Sequence, residues 1–71
     1  MIRINKINID KFRSYNNYYS YYIKNGLYLI FNKETLELEE SLSYIKGFKG
    51  YEKEINNIIE KLIYLDILEV I

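Results

Sequence analysis

Residues 18–31 read Tyr18-Tyr19-Ser20-Tyr21-Tyr22-Ile23-Lys24-Asn25-Gly26-Leu27-Tyr28-Leu29-Ile30-Phe31, and this stretch decides the fold. The runs on either side of Asn25-Gly26 are dense in aromatic and β-branched residues, which favour a pleated, half-buried strand. A two-residue loop between antiparallel strands needs positive φ at both central positions, and Asn and Gly adopt it at least cost. The spacing therefore predicts a hairpin. Its loop sets Ile23 opposite Tyr28, Tyr21 opposite Ile30, Tyr22 opposite Leu29 and Ser20 opposite Phe31. Tyr15, Tyr18, Tyr19 and Tyr22 also recur at helical spacing. The Asn-Gly turn and the β-propensity of tyrosine decide for the strand. Both faces of this ribbon are apolar, so one packs on helices and the other calls for cover.

On the N-terminal side, alternation at Ile2/Ile4 and again at Ile7/Ile9 predicts a strand. Its phase slips at Asn5-Lys6, which marks a bulge or two short strands. Asp10 to Asn17 is polar and reads as a connection. On the C-terminal side, Asn32-Lys33-Glu34 reads as a turn, and Thr35-Leu36-Glu37-Leu38-Glu39 alternates as a short third strand. A helix over about 40–46 follows, stopped by Gly47 in the usual C-terminal position. Tyr51, Ile55, Ile58, Ile59 and Leu62 then recur along one helical face. Leu65 to Ile71 is nearly all apolar and either finishes that helix or turns back as an edge strand. The expected fold is α+β: an N-terminal antiparallel sheet of three to four strands with its hairpin turn at Asn25-Gly26, then two C-terminal helices. It forms one domain over 1–71, mainly β to residue 39 and mainly α beyond.

Length and composition narrow the function. A chain of 71 residues makes one domain at most, and it buries only about 60% of its unfolded surface. Small domains usually compensate with a disulfide, a metal or a partner. The sequence has neither Cys nor His, so no disulfide forms and the commonest metal ligands and general base are missing. Dense apolar packing or association is left, and 49% hydrophobic and 17% aromatic residues suit both. No cofactor or metal is expected.

Net charge is zero, yet residues 1–33 hold six bases and one acid while residues 34–71 hold nine acids and four bases. Folding either interleaves the halves or leaves a dipolar molecule able to steer a charged partner. No apolar run reaches the ~20 residues of a membrane span, and the N-terminus lacks a signal peptide's apolar stretch; a cytoplasmic location is expected. Ile, Asn, Lys and Tyr, whose codons are rich in A and T, exceed half of the residues. This composition fits an AT-rich bacterial or phage genome.

Catalytic patterns are missing. A Ser–His or Cys–His nucleophile needs residues the chain lacks, and the three glycines stand singly, so no phosphate loop forms. Glu37 and Glu39 share a strand face, but a solvated face explains them better than an acid–base pair. The chain is expected to bind and not to catalyse. The tyrosine cluster over Tyr15–Tyr22, beside Lys11, Arg13 and Lys24, reads in three ways: sheet packing with codon bias, a nucleobase-stacking surface, or a protein-binding patch. For the last, Tyr19, Tyr21 and Tyr28 are the contact candidates.

The run Leu38-Glu39-Glu40-Ser41-Leu42-Ser43-Tyr44-Ile45, with Gly47 beyond, follows a Leu-Asn-Glu-Ser/Thr-Ala-x-x-Ile pattern. Ile58-Ile59, Leu62, Leu65, Ile67 and Leu68 follow a leucine-rich helix end, with Asp66 where Gly is usual. In these residues the chain from Leu27 to Ile71 resembles the peptide-recognition elements of ribosomal-peptide modification systems. The small chaperone of pyrroloquinoline quinone biosynthesis, winged-helix-like in arrangement, is one of them. A further helix of that family has only Phe48-Lys49-Gly50 in its place. The resemblance implies a leader peptide added as a strand at the edge of Thr35–Glu39. It also implies an apolar groove formed by Leu36, Leu38, Ile55, Ile59 and Leu62.

Three partners are thus open: a peptide, a larger protein machine on which a small phage-type inhibitor docks, or, less favoured because net charge is zero, a nucleic acid. Self-association into a homodimer through the second apolar face is compatible with all three.

Overall fold

The structure is a computed structural model, and it describes residues 1–24, 26–39 and 52–71. Among these residues it is an α+β fold of five strands in two antiparallel sheets, with one 3-10 helix and one α-helix. Strand β1 (Ile2–Ile4) pairs with β5 (Leu68–Val70); β2 (Arg13–Ser14), β3 (Tyr18–Lys24) and β4 (Leu27–Asn32) form the second sheet in that order. Helix α1 spans Glu52–Tyr64. The helix expected over 40–46 lies outside the described residues.

The hairpin β3–β4 forms as the Asn-Gly signal predicts, but its register differs by one residue. Gly26 has φ +79°, and Lys24 faces Leu27 as a two-residue loop requires. A bulge at Ile23 then shifts the ladder, so that Tyr22 faces Tyr28, Tyr21 faces Leu29, Ser20 faces Ile30 and Tyr19 faces Phe31. A one-residue slip exchanges the faces of every side chain along one strand relative to the other. Its result is a clean division. Leu27, Leu29 and Phe31 are buried on the inner face, with Tyr19 and Tyr21 packed against them. Tyr18, Ser20, Tyr22, Tyr28 and Ile30 share the outer face.

The N-terminal alternation is a strand only as far as Ile4. Asn5 then accepts a hydrogen bond from the Ile7 amide on its side-chain Oδ1 (3.3 Å) and caps a 3-10 helix over Lys6–Lys11. Local side-chain capping here wins over the strand pattern, and Ile7 is left exposed. The polar stretch read as a connection contains β2, and Phe12 within it is buried against Phe31, ring centroids 5.2 Å apart and edge to face.

Residues 35–39 also depart from the expected strand. Two isolated bridges, Arg3 to Glu37 and Phe31 to Leu38, stand there. On one side the Ile4 amide donates to the Leu36 carbonyl (2.9 Å) and the Leu38 amide to that of Ile2 (2.8 Å). On the other, the Asn32 amide donates to Glu37 (2.8 Å) and the Glu39 amide to Ile30 (2.7 Å). The segment thus lies between β4 and β1 and stitches the two sheets together. Regular strand geometry is broken at Leu36, whose φ is +66°, a conformation that costs a non-glycine residue about 1–2 kcal/mol. Asn32 holds the bend: its Oδ1 accepts from the amides of Glu34 (2.8 Å) and Thr35 (2.9 Å), and its Nδ2 donates to Glu39 Oε1 (3.3 Å).

Helix α1 follows its apolar periodicity, with Ile55, Ile59 and Leu62 buried and Ile58 half-buried. Its end explains why β5 turns back. The Ile67 amide donates to Leu62 (2.9 Å) and the Asp66 amide to Ile63 (3.1 Å), the two bonds of a Schellman cap. Asp66 occupies the left-handed position, φ +60°, where glycine is least strained. Buried Ile67 and Leu62 supply the apolar contact that accompanies this cap. The chain end therefore becomes an edge strand and not a helical extension. Among the described residues, no helix is long and apolar enough to cross a membrane.

Two outcomes follow for urea unfolding. Asp66→Gly should raise stability by roughly 0.5–1 kcal/mol, because it removes left-handed strain and keeps both cap bonds. Asn32→Ala should lower stability by about 1–2 kcal/mol, through loss of the side-chain bonds that hold the bend.

Candidate functional site

The outer face of the three-stranded sheet gathers most of the exposed aromatic surface. Tyr15, Tyr18, Tyr22 and Tyr28 are 37%, 36%, 52% and 37% exposed. They are ordered in two pairs. The Tyr15 and Tyr18 rings stack with centroids 4.7 Å apart, and those of Tyr22 and Tyr28 at 5.2 Å. Both pairs follow from strand pairing. The Tyr15 amide donates to the Tyr18 carbonyl (2.9 Å) where β2 turns into β3, and the Ile23 bulge sets Tyr22 directly opposite Tyr28.

Ser20 lies between the pairs and is only 3% exposed. A small side chain among large rings leaves a depression. A hollow of about 360 Å³ is lined by Lys11, Arg13, Tyr15, Ser20, Tyr21, Tyr22 and Tyr28. A second, of about 250 Å³, is lined by Tyr15, Tyr18, Ser20, Tyr28 and Ile30. They share Tyr15, Ser20 and Tyr28 and so form one shallow trough across the strands.

Charge at the trough comes from one side. Arg13 is opposite Ser20 in the ladder and so on the same face, with its guanidinium carbon 5.6 Å from the Tyr15 ring centroid. Lys11 closes that end. Among the described residues, no acidic side chain lines either hollow. Three other bases of the N-terminal half are engaged inside the chain. Arg3 pairs with Glu69 (3.3 Å) and Lys24 with Glu54 (2.6 Å); Lys33 donates to Ser14 Oγ and the Tyr15 carbonyl and lies over the Tyr19 ring.

The contact candidates read from the sequence separate here. Tyr28 stands on the outer face. Tyr19 and Tyr21 are half-buried on the inner face, and Tyr21 borders the first hollow while its ring packs 5.7 Å from that of Phe12. Leu36 and Ile55 are core residues, 7% and 1% exposed, and Leu38 is partly buried against the same core. The edge of 35–39, the place the resemblance implies for an added strand, is hydrogen-bonded within the chain on both sides. Tyr15, Tyr18 and Tyr22 belong to the tyrosine cluster that the sequence offers as a patch, but they and Ser20 lie outside its contact candidates. The signal for them lay in the register, through the partner of Tyr28.

A third hollow, about 360 Å³, sits beside the Leu36 bend, lined by Arg3, Ile4, Asn5, Lys6, Glu34, Thr35, Leu36 and Glu69. Bases and acids mix there, and the Arg3–Glu69 pair occupies its wall. Among the described residues no group of three or more potential metal-ligating side chains comes together. Comparison of the chain with known protein families, with curated proteins and with solved structures finds no match.

Tyrosines on the two faces should respond differently to truncation. Tyr21→Ser should cost about 2–3 kcal/mol in urea unfolding, somewhat less than the ~3–5 of a fully buried aromatic. Tyr22→Ser or Tyr28→Ser should cost only about 0.5–1.5 kcal/mol, the value of a stacked pair at the surface.

Proposed function

We propose that this chain is a non-catalytic binding module whose contact surface for a peptide or protein partner is the tyrosine trough on the outer face of β2–β4. One observation carries the reading: four ordered, partly exposed tyrosines wall a depression floored by Ser20. Tyrosine suits recognition because it offers large rigid contact area and a polar hydroxyl at low entropic cost. A face already ordered by its own ring pairs loses less freedom on binding. The resemblance to peptide-recognition elements supports a peptide as the partner. Strand addition at 35–39 is not retained, since both sides of that segment are bonded within the chain.

Panning a random peptide display library against the immobilised chain and against a Tyr15→Ser/Tyr22→Ser variant tests this. Sequences enriched on the parent chain should lose roughly tenfold or more in affinity for the variant, about one hot-spot contact, while circular dichroism stays unchanged. Equal enrichment on both proteins would remove the trough as the contact surface.

A further inference from the structure

The charge at the trough narrows the partner, granted that the trough is the contact surface. Lys11 and Arg13 stand at one end, and among the described residues no carboxylate lines it. Neither base makes an ion pair among the described residues, in contrast to Arg3 and Lys24. Arg13 is held by β2, whose ladder places it opposite Ser20, and by the Tyr15 ring beneath it. A guanidinium fixed in this way is ready for a two-pronged carboxylate contact, and Lys11 adds a point charge near it. From there the floor runs through Ser20 to Ile30 between tyrosine walls, and it accepts an apolar side chain.

We propose that the trough takes an acidic, extended peptide segment, with carboxylates on Arg13 and Lys11 and a neighbouring apolar or aromatic side chain seated over Ser20. The same rings and bases invite comparison with a single-stranded nucleic acid. Two observations favour the peptide. A nucleic-acid site gains affinity from each phosphate neutralised, commonly about 6–10 of them; among the described residues the trough offers two cations, and the acidic C-terminal half opposes a long polyanion. In addition, Tyr15/Tyr18 and Tyr22/Tyr28 stack on each other. Each ring therefore already spends one face on its partner ring, whereas sequential base stacking uses open faces. A short acidic segment needs few cations and uses ring edges and hydroxyls.

Fluorescence anisotropy of the full chain with three labelled probes tests the proposal: a random glutamate–tyrosine copolymer, a lysine–tyrosine copolymer, and a single-stranded oligothymidylate of about 20 nucleotides. The glutamate–tyrosine copolymer should bind at least about tenfold tighter than the other two. Lys11→Glu/Arg13→Glu should weaken it roughly tenfold or more, the worth of a lost charge-assisted contact. Lys53→Glu/Lys61→Glu, an equal change of net charge on the exposed face of α1, should leave it within about twofold, since screening at ~10 Å removes distant charges. Tighter binding of the oligothymidylate, or equal weakening by the two charge reversals, would overturn the acidic peptide. Binding of the lysine–tyrosine copolymer that Tyr22→Ser/Tyr28→Ser abolishes and Lys11→Glu/Arg13→Glu spares would overturn the charge class and keep the trough. Binding of no probe, or binding indifferent to Tyr22→Ser/Tyr28→Ser, would overturn both.

Discussion

The architecture depends on one short segment bonded on both sides. Residues 36–39 lie between β4 and β1 and exchange backbone hydrogen bonds with each. Without them the chain would hold two separate small sheets, and the two-stranded one would be marginal at best. With them, the strands run in antiparallel succession from β2 to β5 over a common core. The segment reaches that position because Asn32 folds the preceding turn onto its own side chain and because Leu36 accepts a left-handed backbone. The strain is sustained by what surrounds it: the Leu36 side chain is buried, its amide bonds Asn32 and its carbonyl bonds Ile4. A peptide group buried without such partners would cost more than the strain does.

The second determinant is the bulge at Ile23. By adding one residue to β3 it aligns Tyr19 and Tyr21 with Leu29 and Phe31 inside, and Tyr22 with Tyr28 outside. An unbulged ladder would have put Ser20 opposite Phe31 and Tyr22 opposite Leu29, mixing small, polar and apolar groups on each face. The bulge gives one dry face and one tyrosine face. Ser20 on the second lies between the two ring pairs and leaves the depression among them.

Much of this was legible in the sequence, and the limits are physical. Asn25-Gly26, flanked by β-formers, identifies the hairpin, and the four-residue recurrence from Ile55 to Leu62 identifies α1. Both signals are local and strong. The turn at Asn32 was legible too, since short polar side chains bond their own backbone. The register is not, because the bulge at Ile23 goes with burial of Leu29 and Phe31 in a core shared with residues distant in sequence and not with the preference of any residue. Likewise Leu36 and Leu38 alternate as a strand would, but the chain bends there to meet β1, and nothing near in sequence announces so distant a neighbour. The contact candidates depend on the same register: an unbulged ladder groups Tyr28 with Tyr19 and Tyr21, and the bulged one sets it opposite Tyr22. Asp66 is instructive in the other direction. It lacks glycine's freedom, yet apolar Ile67 and Leu62 on either side of the bend enforce the cap.

The pairing of β1 with β5 joins residues 2–4 to 68–70. Closing a loop of that length costs the unfolded chain about 4 kcal/mol before any contact repays it. The hairpin, by contrast, closes within a few residues and on a microsecond scale. By closure entropy, the ribbon greasy on one side and tyrosine-rich on the other costs less to form, and the pairing of β1 with β5 costs more. Any opening that parts β1 from β5 removes part of the cover over that ribbon, and partly opened states of this kind are the ones prone to stick to their own copies.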